Sequence, residues 1–133
     1  MGRLQEQSRW LLARVLRGER PLLIELEPGS VERRSGPSVQ MITGNLILTN
    51  TGKRPIHPFF IGALAARGDG RPIEKGAVSC WDLETNEEIL PGGQVQRGAQ
   101  FGLRTSESFD SIELDVVIYD NQSRPHRGHL SFG

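Results

Sequence analysis

The sequence predicts an all-β domain, a seven-stranded antiparallel β-sandwich preceded by one N-terminal amphipathic α-helix. Three observations carry this. From residue 21 onward, short segments of alternating apolar and polar residues recur between Gly, Pro, Asn and Asp clusters. No helical pattern alternates with these strands, which excludes a βαβ arrangement. Only residues 4–17, "LQEQSRWLLARVLR", combine good helix formers with apolar residues at 3.6-residue spacing.

In that first segment Leu4, Leu11, Leu12, Val15 and Leu16 share one face. Gly18 supplies a stop, Pro21 prevents continuation, and Arg14 and Arg17 suit the negative end of the helix dipole. The chain therefore divides into a helical segment, 1–20, and a sandwich domain, 21–133. The first strand, "PLLIELE", places Leu22, Ile24 and Leu26 on one face and Glu25 and Glu27 on the other. "ERRSGPS" at 32–38 reads as a connecting loop. "SVQMITGNLILTN" is long, with Ile42, Leu46 and Leu48 on one side and Gly44 between them as a bulge or close crossing. It exits through Asn50-Thr51-Gly52, and Pro55 discourages helix beyond it.

"PFFIGALAA" is apolar on both faces and suits a central strand. Asp69-Gly70 is a hairpin signal, after which "GAVSCWDL" forms the next strand. Turn residues "ETNEE" and "LPGG" follow. "QVQRGAQFGLR" then turns Val95, Ala99, Phe101 and Leu103 inward. "SIELDVVIYD" is the cleanest alternation, with Ile112, Leu114, Val116 and Ile118 opposed to Glu113 and Asp115. Asp120 and Asn121 begin the loop that leads to a last strand, "GHLSF".

Taken together, "GNLILTNTGKRPI", "LPGGQVQRGAQFGL" and "SIELDVVIYDNQS" resemble the immunoglobulin-like modules of the late-embryogenesis-abundant type-14 and bacterial FxLyD kind over residues 38–132. "SVQMITGNLIL" is also similar to arrestin-like sporulation-control sandwiches. Either resemblance implies a β-sandwich without a conserved active site, used as a binding or structural module. Neither covers the leading helix.

With 133 residues the chain is long enough for one core without disulfides or metal. Sixteen basic residues balance sixteen acidic ones, so no overall field favours nucleic acid or a polyanionic substrate. The single cysteine, Cys80, excludes an internal disulfide framework and a multi-cysteine zinc site. "WLLARVL" is broken by Arg14 and is neither signal peptide nor membrane span, so a cytoplasmic location is expected.

No nucleophile elbow, phosphate-binding glycine loop or zinc helix occurs. His126 and His129 are three apart, but a third ligand from His57 or Asp120 would be needed; they read as exposed residues of a polar hairpin, and no metal or cofactor is expected. Cys80 with His57 lacks any local group to activate a thiol and reads as a small buried strand residue. The expected function is a non-enzymatic protein-interaction or assembly module that meets a protein partner or a second copy, with self-association through the N-terminal helix or an edge strand. Its candidate contacts are Leu4, Trp10, Leu11, Arg14 and Val15 on the helix, with Lys53 and Arg54 in the turn after the third segment. An apolar ligand held between the sheets near Trp10 and Trp81 is the alternative; membrane contact by the helix ranks below both.

Overall fold

The computed structural model describes residues 21–74, 78–81 and 87–132, and the predicted helix lies outside these residues. Nine strands are described: β1 (Leu22–Leu26), β2 (Glu32–Ser35), β3 (Gln40–Asn50), β4 (Pro58–Gly68), β5 (Arg71–Ile73), β6 (Val78–Trp81), β7 (Gln94–Leu103), β8 (Ile112–Asp120) and β9 (Pro125–Phe132). They form two antiparallel sheets. One has the order β1-β3-β7-β6, with β2 added on β3; the other is β5-β4-β8-β9.

The count differs from the expected seven at two places. Residues 32–35, expected as loop, pair with Gln40–Thr43 of β3 as a short hairpin arm. The Asp69-Gly70 turn forms as expected, with Asp69 at φ 50° and Gly70 at φ 79°. Its return strand is the three-residue β5, whereas β6 crosses to the other sheet and pairs with β7. A charged stretch such as "ERRS" carries no apolar alternation, because every residue of β2 is exposed. Its strand character comes from hydrogen bonding to β3 alone.

Alternation elsewhere builds the core as expected. Leu22 and Ile24, Ile42, Leu46 and Leu48, Ala99, Phe101 and Leu103 are buried from one sheet. Ile61, Ala66, Ile112, Leu114, Val116, Ile118, Leu130 and Phe132 are buried from the other, and all belong to one contiguous cluster. Phe101 of β7 and Phe132 of β9 join the sheets with ring centroids 5.7 Å apart.

The chain passes from β3 to β4, and so between sheets, through residues 51–57. Asn50 governs that passage. It is wholly buried, and its Nδ2 donates to the carbonyls of Arg54 (2.7 Å) and Ile89 (2.8 Å) while its Oδ1 accepts the Gly52 N–H (2.9 Å). Its backbone N–H donates to the Gly93 carbonyl, and its own carbonyl accepts the Gly92 N–H. Gly52 is required by close approach: a Cβ there would lie 2.6 Å from Pro21 Cβ. Beyond the turn, Ile56 and Ile89 pair through both backbone hydrogen bonds, which carries the chain to β4.

Replacing Asn50 by Ala leaves two carbonyls and an amide without their buried partner. The expected cost is about 2–4 kcal/mol of unfolding free energy. Thr51→Ala, which loses only an exposed hydroxyl bond to the Pro21 carbonyl, is expected to cost under about 0.5 kcal/mol. Urea titration of the two variants checks the contrast.

Candidate functional site

Asp120 ends β8 at the same end of the domain as Asn50. Its Oδ1 accepts the N–H groups of Gln122 and Arg124 (2.9 Å each), and its Oδ2 meets His126 Nε2 at 3.0 Å. Burial pushes the Asp120 carboxyl up, but His126 and the two backbone donors outweigh it and hold the group below its usual value. The neighbouring Asn121 N–H donates to the His57 carbonyl, which ties this turn to the residue before β4.

So anchored, β4 enters its sheet with Pro58 opposite Asp120 and Phe60 opposite Tyr119. Phe59 is therefore an extra residue, a bulge at the first step of the strand. A second shift between Ala63 and Ala65 makes Leu64 extra as well. Bulges bend a strand and re-aim its side chains. Here each leaves a large apolar residue at the surface: Phe59 is 69% exposed and Leu64 37%.

Phe60 is 55% exposed and Tyr119 36%, and their rings stack with centroids 6.4 Å apart and an interplanar angle of 28°. Phe60 folds back along its own strand. A Cβ built on Gly62 would meet Phe60 Cε2 at 3.6 Å and Val117 Cγ1 at 3.8 Å. Val117 lies between the outward-facing Asp115 and Tyr119 and is nonetheless buried. Phe60 and Tyr119 thus give the outer side of the β4–β8 pair a stacked aromatic surface, and Phe59 and Leu64 are exposed at the two bulges of β4.

Polar groups border it on β8 and β9. His129 Nδ1 lies 2.7 Å from Asp115 Oδ1, and Nε2 lies 3.0 Å from Glu113 Oε1. With a carboxylate within hydrogen-bond distance of each nitrogen, the protonated ring can donate to both. The hydrogen bonds to Asp115 and Glu113 accordingly raise its pKa.

The two histidines, expected together in an exposed hairpin, are separated in the structure. They lie on one strand, β9, at a spacing that turns them to opposite faces. His126 points inward, 4% exposed, with Nδ1 buried and without a partner among the described residues. His129 points outward. Among the described residues no group of three His, Cys, Asp or Glu is placed to hold a metal ion. Cys80 is half-buried opposite Phe101, and desolvation pushes its thiol up to about 12.

Lys53 and Arg54 are exposed in the turn after β3, where the Arg54 carbonyl serves the Asn50 amide. Leu4, Trp10, Leu11, Arg14 and Val15 lie outside the described residues. The aromatic surface occupies a segment that the sequence pattern assigns to a central strand, apolar on both faces. Its signal lies in "PFF": adjacent residues of a strand point to opposite faces, so two consecutive phenylalanines cannot both enter the core of one regular strand. Because β5 pairs only with Ala66–Gly68, no described strand of this sheet flanks the rest of β4 opposite β8. No helix among the described residues is long and apolar enough to cross a membrane.

No protein-family model and no curated protein matches the chain. Solved structures similar to it include a Northeast Structural Genomics Consortium target, SoR45, 12% identical over 84% of each chain with a TM-score of 0.49. A family 123 glycoside hydrolase from Clostridium perfringens is similar at 6% identity over 84% of this chain and 27% of that chain, with a TM-score of 0.43. The ASH/PapD-like domain of human CEP192 is 15% identical over 81% of this chain and 82% of that domain, with a TM-score of 0.40. At these values the likenesses assign neither family nor function.

The His129 cluster has a defined pH dependence. Its imidazole is expected to titrate above the ordinary value of about 6.5 and to fall back toward it in Asp115→Asn. A raised folded-state pKa means that the cluster's contribution to stability is full below the unfolded value and is lost as pH rises through the folded one. Following the His129 ring proton by NMR against pH in both proteins checks the direction.

Proposed function

We propose that this chain is a non-enzymatic protein-interaction or assembly module, built as an immunoglobulin-like β-sandwich, and that it makes contact through the outer side of the β4–β8 pair. The observation that carries this reading is the exposed Phe60–Tyr119 stack, with Phe59 and Leu64 exposed at the two bulges of the same strand, β4. Large apolar residues scattered singly over a surface need no explanation, but an exposed aromatic stack with two further exposed apolar residues on one strand has the composition of a contact region. Aromatic rings supply large contact area at low cost in side-chain entropy, and the Phe60–Tyr119 stack holds two of them in place before any partner arrives.

The border supports the same reading. Glu113, Asp115 and His129 are joined to one another, so a partner need not break new ion pairs to reach the rings. Two bulges in β4 point the same way, because a regular strand would have paired Phe59 and Leu64 into the ladder.

Sedimentation velocity on the full chain, from low to high micromolar concentration, tests this proposal. Concentration-dependent association is expected, and Phe59→Ser with Phe60→Ser is expected to weaken it by about tenfold or more. Both positions are exposed, so the variant keeps its core. A strict monomer throughout, or association indifferent to the substitutions, overturns the reading.

A further inference from the structure

The Phe60–Tyr119 stack is part of a longer row. On the other side of β8, Tyr119 stands opposite Pro125 of β9, and the next outward row sets Gly62, Val117 and Arg127 side by side. Pro125, Arg127 and His129 are exposed while His126 and Leu130 are buried, so these three residues of β9 share the outer face with Tyr119. Arg127 is diagonal to Tyr119, a separation that a long side chain spans.

The free charge around this row has one sign. Residues 51–65 and 115–127 contain four cations, Lys53, Arg54, Arg124 and Arg127, and two carboxylates, Asp115 and Asp120. Both carboxylates are held by histidines: Asp120 Oδ2 lies 3.0 Å from His126 Nε2, and Asp115 Oδ1 lies 2.7 Å from His129 Nδ1. Glu113, the next outward acid on β8, meets the same His129 ring at 3.0 Å. The four cationic side chains are exposed, and none makes a hydrogen bond or ion pair with a described residue. The turns that carry them are joined, the Asn121 N–H donating to the His57 carbonyl (3.0 Å).

This arrangement selects among occupants. An aliphatic or aromatic side chain can lie on two rings that are already stacked. A guanidinium without an intramolecular partner donates to both oxygens of an incoming carboxylate. A basic segment would meet like charge beside the stack and find every nearby acid engaged.

We infer that the Phe60–Tyr119 surface receives an acidic segment of a partner protein, one that lays an apolar side chain on the rings and directs a neighbouring carboxylate to Arg127. The inference rests on the contact reading above and gives the partner its chemistry. Apolar burial on the stack supplies most of the affinity, and Arg127 decides which segments are accepted.

Selection of random phage-displayed peptides against the full chain, held below the concentration at which it associates, tests this. Enrichment of peptides with Asp or Glu beside a large apolar residue is expected. One such peptide, synthesised and titrated into labelled protein, is expected to shift the amides of 58–64 and 117–128. Phe60→Ser or Arg127→Glu is expected to weaken its binding by about tenfold or more, while Arg34→Glu, at an exposed arginine of β2, leaves it within about twofold. All three positions are exposed, so the variants keep their core. Peptides that bind this surface without acidic residues, or that are indifferent to Arg127→Glu, overturn the inference and leave the contact reading standing. No enrichment, binding elsewhere on the domain, or binding to phosphatidylserine vesicles with no acidic peptide selected also overturns it. Sedimentation decides the assembly reading separately.

Discussion

The buried amide of Asn50 is the constraint on which the arrangement of the two sheets depends. An amide withdrawn from water without partners costs several kcal/mol, and this one recovers that cost by satisfying three backbone groups. Those groups belong to the turn at 51–54, through Gly52 and Arg54, and to the segment before β7, through Ile89. Its own backbone pairs with Gly92 and Gly93, and across the sheet it faces Leu22 of β1. One residue, by its side chain and its backbone together, therefore joins β3, its exit turn, the segment before β7 and β1. No apolar residue of similar size could do so, because the carbonyls of Arg54 and Ile89 would then be left unpaired.

That anchor sets the position of β4. The turn at 51–54 and the Ile56–Ile89 bridge carry the chain across to the second sheet, where Asn121 and Asp120 receive it. Held at both sides of the passage, the strand starts with a bulge at Phe59. The Phe60–Tyr119 stack is thus a consequence of polar anchoring a few residues away. Polar groups fix the backbone, and the apolar surface is displayed by that backbone.

Most of the inner face is legible in the sequence, since alternation alone separates Ile112, Leu114, Val116 and Ile118 from Glu113 and Asp115. Alternation fails where strand formation has a cause other than burial. β2 owes its pairing to β3 and carries no apolar residue, so a pattern of hydrophobicity passes over it. His126 is expected at the surface because a histidine in a polar run ordinarily is exposed. Its burial depends on Asp120, six residues away in sequence but adjacent across the β8–β9 turn. "PFFIGALAA" is read in part: β4 lies between β5 and β8 as a central strand does, but β5 pairs only with Ala66–Gly68, and the bulges at Phe59 and Leu64 are not marked by composition.

The central claim is that Phe59, Phe60 and Tyr119 become covered when the protein associates. Solvent paramagnetic relaxation of their ring protons, measured on the full chain across a dilution series, tests it most directly. The account predicts strong relaxation in dilute samples and progressive protection of these three rings as concentration rises, while exposed Leu23 on the opposite sheet keeps its relaxation rate throughout. Equal relaxation of the three rings at every concentration would contradict it.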